Sequence, residues 1–195
     1  GQVAGVRCRW KNQPEGPTSG TTLADGAEAL ETALADELAT PPSGLDAPAL
    51  ETEDLDCFVP DVIDTLASGL DGSDATAREL ARYLTGEGPE AIGVEVTHAQ
   101  AASMARSYLD CVTEEAILRA QLEFAGAPDD VLDDLLACLQ EELPEGSLLD
   151  NATLNFELGV AGQGTPEGQE ILQAQAEAGR ACALAAQDGD GTTTS

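Results

Sequence analysis

Between Val59 and Leu70 the apolar residues Val59, Ile63, Leu66 and Leu70 recur at intervals of four, three and four, the spacing that lines one side of an α-helix. Pro60 suits a first helical position, so the pattern predicts a helix entered there, just after Cys57. Asp71-Gly72-Ser73 is expected to end it and cap the next, in which Ala77, Leu80 and Leu84 face inward before Gly86. Residues 87–96 show no period. Thr97 with Gln100 then has the form of a capping box, opening a helix whose Ala101, Met104, Tyr108 and Cys111 share a face. Thr113 caps a further helix reaching Ala125, with Gly126 as its stop. Pro128, Asp129 and Asp130 are expected to open the next, where carboxylates complement the helix dipole. Val131, Leu135, Cys138 and Glu142 would stack along it, with Leu132, Leu136 and Leu139 widening the stripe. Upstream, Leu23, Ala27, Leu30, Leu34 and Leu38 predict a helix from Leu23 to Ala39, halted by Pro41-Pro42. Downstream, Thr165-Pro166 opens a last helix along Ile171, Gln175, Ala178, Cys182 and Ala185.

Two segments break the helical period. Residues 1–11 alternate, with Ala4, Val6, Cys8 and Trp10 on one side, and read as an extended arm; residues 12–22, rich in Pro and Gly, read as linker. Residues 147–160 satisfy both periods: Leu148, Ala152 and Phe156 suit a helix, whereas Leu154, Phe156, Leu158 and Val160 alternate as a strand would. Helix is preferred, and the strand alternative would give the arm something to pair with. The expected fold is therefore all-α, a disulfide-linked bundle of about six to seven short helices with an extended N-terminal arm. The expected division is 1–22 arm and linker, 23–54 helix plus linker, 55–187 cysteine-linked body and 188–195 tail.

Three cysteines share a local frame, in Leu55-Asp56-Cys57, Leu109-Asp110-Cys111 and Leu136-Ala137-Cys138, each beside a helical pattern. Such regular placement fits an exported domain that staples a thin core. Five cysteines allow fifteen frameworks of two bonds. Consecutive segments that begin and end in cysteine favour Cys57 with Cys111 and Cys138 with Cys182, leaving Cys8 aside. Against this, a strict up-and-down stack would put Cys111 and Cys138 at one end and Cys57 at the other. The gaps of 49, 54, 27 and 44 residues do not suit a zinc site, which takes closely paired ligands.

Charge narrows the partners. Asp and Glu number 37 against 8 Lys and Arg, yet residues 1–20 carry Arg7, Arg9 and Lys11 against Glu15 alone, net +2, which leaves −31 on residues 21–195. A body with that field repels nucleic acid and anionic lipid, and no apolar run reaches the roughly 18 residues of a membrane span. Neither a nucleic-acid partner nor a membrane span is expected. The chain opens on Gly1 without a basic-then-apolar leader, so any export signal is expected to have been removed or left out of this sequence. Arg7, Arg9, Trp10 and Lys11 are the candidate partner-binding residues. With them the chain reads as an extracellular or cell-envelope accessory subunit, held by its arm to a protein partner in a larger assembly.

Catalytic signals are sparse. No phosphate loop, nucleophile elbow or HExxH is present, no cofactor is called for, and the chain is not expected to be an enzyme. The alternative is a secreted hydrolase-like enzyme using His98, the one histidine, near Glu95 and beside Ser103 or Cys111. Asp129, Asp130, Asp133 and Asp134 form an acid cluster suited at most to weak divalent-cation binding, and Asp188-x-Asp190-Gly191 lacks the closing Glu of a calcium loop.

Through Leu-Asp-Cys-Val at 109–112, Gly-x-Pro-Asp-Asp at 126–130 and Leu-Ala-Cys-Leu at 136–139, the stretch from Cys57 to Cys182 resembles a loose group of exported, alanine-rich helical proteins of actinobacteria. That group is mostly of unknown function, so the resemblance implies a helical fold and export and little chemistry. Cys8 and the long arm depart from it.

Overall fold

A helical stripe that begins earlier than Cys57 sets the centre of the molecule. In the computed structural model, which describes residues 20–39 and 51–189, helix α2 runs Thr52–Leu70 and buries Leu55, Phe58, Val59, Val62, Ile63, Leu66 and Leu70. Pro60 therefore sits inside the helix and not at its first turn. The carbonyl that loses its partner belongs to Asp56, which is exposed, so water serves it and the helix continues.

Around α2 stand α1 (Ala27–Ala39), α3 (Ala77–Arg82), α4 (His98–Cys111), α5 (Glu114–Phe124), α6 (Leu132–Glu142), α7 (Ser147–Leu158) and α8 (Pro166–Gly189). The fold is all-α and disulfide-linked, with eight α-helices and no strand among the described residues; one isolated antiparallel bridge joins Thr22 to Thr76. The helix favoured for residues 147–158 forms, and Leu158 and Val160, which the strand alternative would have buried, are exposed.

Caps explain where helices begin. Thr97 and Gln100 form the expected box on α4, Thr113 accepts from the Ala116 N–H at 3.2 Å, and Gly126 ends α5 with φ 77°. Three starts differ from the sequence expectation. A 3₁₀ turn at Leu23–Asp25 and Gly26 at φ 106° precede α1, leaving Ala27 exposed. Thr76 caps α3 in place of Ser73, because Glu79 stands three residues on and its carboxylate accepts from the Thr76 N–H at 2.9 Å. Pro128–Val131 close a turn, so α6 starts at Leu132 with Asp133 and Asp134 in its first turn. Leu132 and Leu136 then face inward, Val131, Leu135 and Cys138 are half-buried, and Glu142 is exposed.

Packing divides unevenly. The main core joins α1 (Leu30, Ala33, Leu34, Leu38) and α2 to α3 and α4, with Phe156 from α7. A second, small cluster of Leu118, Leu136 and Leu148 ties α5, α6 and α7. One disulfide links Cys57 on α2 to Cys111 at the end of α4, and the other links Cys138 on α6 to Cys182 on α8, with Cα separations of 5.7 and 5.6 Å. This is the pairing that the cysteine segments favoured; Cys111 reaches Cys57 because the helices do not form a strict up-and-down stack. Cys8 lies outside the described residues.

A glycine seam closes one end. Gly159 (φ 60°, ψ −153°) brings the end of α7 against the turn after α3, where a Cβ would stand 2.5 Å from the Gly88 nitrogen and 2.6 Å from the Gly86 carbonyl oxygen. A Cβ on Gly168 would likewise run into the Gly162 carbonyl.

Four of the six aromatic residues meet between α2, α4, α7 and that turn: Phe58, Tyr83, Tyr108 and Phe156, with ring centroids 5.5–6.5 Å apart. The Tyr83 hydroxyl donates to the Phe156 carbonyl at 2.8 Å. Burial raises the Tyr83 phenol pKa, and Tyr108 shifts the same way through burial and then the charge of Asp54. Folding thus favours the protonated phenols. Their stabilising contribution is complete below the ordinary tyrosine pKa of about 10 and is lost as pH rises beyond it. Urea unfolding between about pH 8 and 11 is expected to show this fall, and Tyr83→Phe should make it shallower. The same variant should cost about 1–2 kcal/mol at pH 7, because the Phe156 carbonyl loses its donor. An equally steep alkaline fall in the variant would refute the assignment.

Candidate functional site

Three of these aromatics, Phe58, Tyr108 and Phe156, floor a cleft of about 270 Å³ at the meeting of α2, α4, α5 and α7. Leu38 at the end of α1 and Leu84 and Thr85 after α3 complete one wall, and Leu109, Ile117 and Leu148 the other. Polar groups enter from α7 as Asn151 and Asn155, from α5 as Gln121, and from the turn after α7 as Gln163. Asn151 and Asn155 are half-buried at i and i+4, on the face that also carries Leu148, Ala152 and Phe156. Among the described residues none of these four side-chain amides has a hydrogen-bond partner, whereas the Thr85 hydroxyl is already committed to the Ala81 carbonyl at 2.8 Å. No described lining residue is charged.

The asparagines were missed by sequence reasoning. The available signal was local: two asparagines four apart within an apolar helical set, where a plain core helix would carry leucine or alanine.

His98 meets a different partner from the one expected. Its Nδ1 stands 2.7 Å from the Glu157 carboxylate on α7, in a shallow charged depression with Arg106, Asp150 and Glu167, and its side chain is 71% exposed. Glu95 is not that partner. Ser103 lies five residues on, turned about 140° around the helix, and Cys111 lies about 20 Å along it with its sulfur bonded to Cys57. The nucleophiles considered for a hydrolase are therefore not brought to His98.

The acid cluster also resolves into separate parts. Arg119 pairs with Asp133 at 2.9 Å and with Glu115 at 3.6 Å, and these partners, Asp133 first, raise its guanidinium pKa. Asp129 and Asp130 belong to the turn before α6. Among the described residues no three His, Cys, Asp or Glu side chains form a group that could hold a metal ion. No described helix is long and apolar enough to cross a membrane.

Arg7, Arg9, Trp10 and Lys11 lie outside the described residues, as does the tail from residue 190. No family model matches this chain, and neither a curated protein nor a solved structure matches it.

Proposed function

We propose that this chain is an exported acidic binding or accessory subunit, held to a larger envelope or extracellular assembly by its N-terminal arm. The observation that carries the reading is the pair of disulfides, each joining helices distant in sequence. Such bonds persist in oxidising compartments and are rare in the cytosol. The segregation of charge supports the role of the arm: a +2 segment containing the only tryptophan precedes a body of −31. Tryptophan beside arginine is the composition of a binding hot spot.

The test is to isolate the full chain from its native envelope with thiols blocked and without reductant, and to compare wild type with Trp10→Ala. The four described cysteines should resist alkylation until reduced. Trp10→Ala should weaken association by about 2 kcal/mol or more, roughly thirtyfold, and leave the melting temperature nearly unchanged. Free thiols at those four positions would refute export. A loss of several degrees with association intact would place Trp10 in the protein's own core and remove the arm as the attachment.

A further inference from the structure

We propose that the cleft between α4, α5 and α7 binds a small uncharged aromatic amide, its ring against Tyr108 and Phe156 and its amide edge on Asn151 and Asn155. The first observation is charge. With 23% of the chain charged, the fourteen described lining positions would carry about three charged residues at random, and they carry none. With no carboxylate among its described lining residues the cleft gives a cation no direct partner, and the acidic body around it disfavours an anion, which favours a neutral occupant.

The second observation is the uncommitted amides. A carboxamide offers both donors and an acceptor, and those of Asn151 and Asn155, half-buried and unpaired among the described residues, stay open to solvent and so to a ligand. Two such groups one helical turn apart match a ligand edge that also both donates and accepts, which is the pattern of an amide or lactam and not of an ether or hydrocarbon. The third observation is the floor. Tyr108 stands edge-on to Phe156 at 6.3 Å and to Phe58 at 5.5 Å, an arrangement that accepts a further ring in offset or edge contact. The volume of about 270 Å³ lies just under the roughly 300–1,000 Å³ of drug-sized sites, which suits one ring and its amide. Every described lining residue belongs to the helices and their turns, so the benzamide titration and the Trp10→Ala association measurement test this site and the attachment through the arm separately.

The experiment is an NMR titration of the oxidised, isotope-labelled full chain with benzamide, benzoate and toluene. Benzamide should give saturable shifts at the Asn151 and Asn155 side-chain NH₂ signals and at their cleft neighbours. Benzoate, of the same shape but charged, should bind at least tenfold more weakly. The double variant Asn151→Leu/Asn155→Leu should lose benzamide at least tenfold and keep toluene, which shows that the cleft survives the change. The proposal is overturned if benzamide shifts do not saturate, if benzoate binds as well, or if the double variant binds benzamide unchanged. It is also overturned if benzamide binds only after Trp10→Ala, which would make the cleft the seat of the arm.

Discussion

Gly159→Ala is expected to destabilise the fold by about 3 kcal/mol or more, because among the described glycines it alone joins a positive φ to a backbone clash under 3 Å. Two costs add. At φ 60° and ψ −153° the backbone occupies a region that only glycine enters readily, worth about 1–3 kcal/mol. A Cβ there also meets the backbone of Gly86 and Gly88 at 2.5–2.6 Å, and backbone atoms cannot swing aside as a side-chain tip can. Relief requires the end of α7 to separate from the turn after α3, which carries Leu84 and Thr85 in the cleft wall. Gly164→Ala is the control, since a Cβ there meets nothing within 4 Å, and it should change stability by less than about 0.5 kcal/mol. Urea unfolding of both variants decides the matter; equal midpoints would mean that the glycine seam does not close.

Removing the Cys138–Cys182 bond, as Cys138→Ala/Cys182→Ala, is expected to release α6 and α8 before the rest of the fold. Loop closure over 44 residues stabilises by about 4 kcal/mol on chain-entropy grounds. What remains to hold α6 is the small leucine cluster around Leu118, Leu136 and Leu148, to which α8 adds no residue; α8 then rests on α7 and the turn after it, with Ala178 buried. The Cys57–Cys111 bond closes 54 residues and has a similar entropic value, yet α2 and α4 are also bound by the main core. Amide exchange should therefore quicken locally in α6 and α8 for the first variant, and the second should lower the global stability without a local opening. Unchanged protection of α6 and α8 would show that their packing suffices without the bond.

Much of this architecture was legible because the signals are local. Thr97 with Gln100 and Thr113 with Gly126 marked helix ends within four to thirteen residues, and apolar periodicity found the inward faces of α1, α2 and α4. Errors arose where two local signals competed. Pro60 resembles a helix start, but the buried stripe already runs through Leu55, and burial outweighs the single hydrogen bond lost at the exposed Asp56 carbonyl. Ser73 and Thr76 both suit a cap, and Glu79 decides for Thr76. The candidate site was hidden for another reason. Asn155 and Tyr108 lie 47 residues apart, and His98 and Glu157 lie 59 apart; only the packing of α7 on α4 brings them together.

Topologically, the two disulfides make two covalent rings in series, residues 57–111 and 138–182, joined by a single strand of chain. A cut inside either ring leaves the polypeptide in one piece, whereas a cut in the joining strand, for instance at the Gly126 turn, severs it. The asparagine side of the cleft belongs to the second ring and its aromatic floor, apart from Phe156, to the first. A molecule nicked at Gly126 therefore keeps its cleft through non-covalent packing alone, α7 on α4, the leucine cluster between α5, α6 and α7, and the glycine seam at Gly159, and the two halves, each internally stapled, are natural partners for fragment complementation.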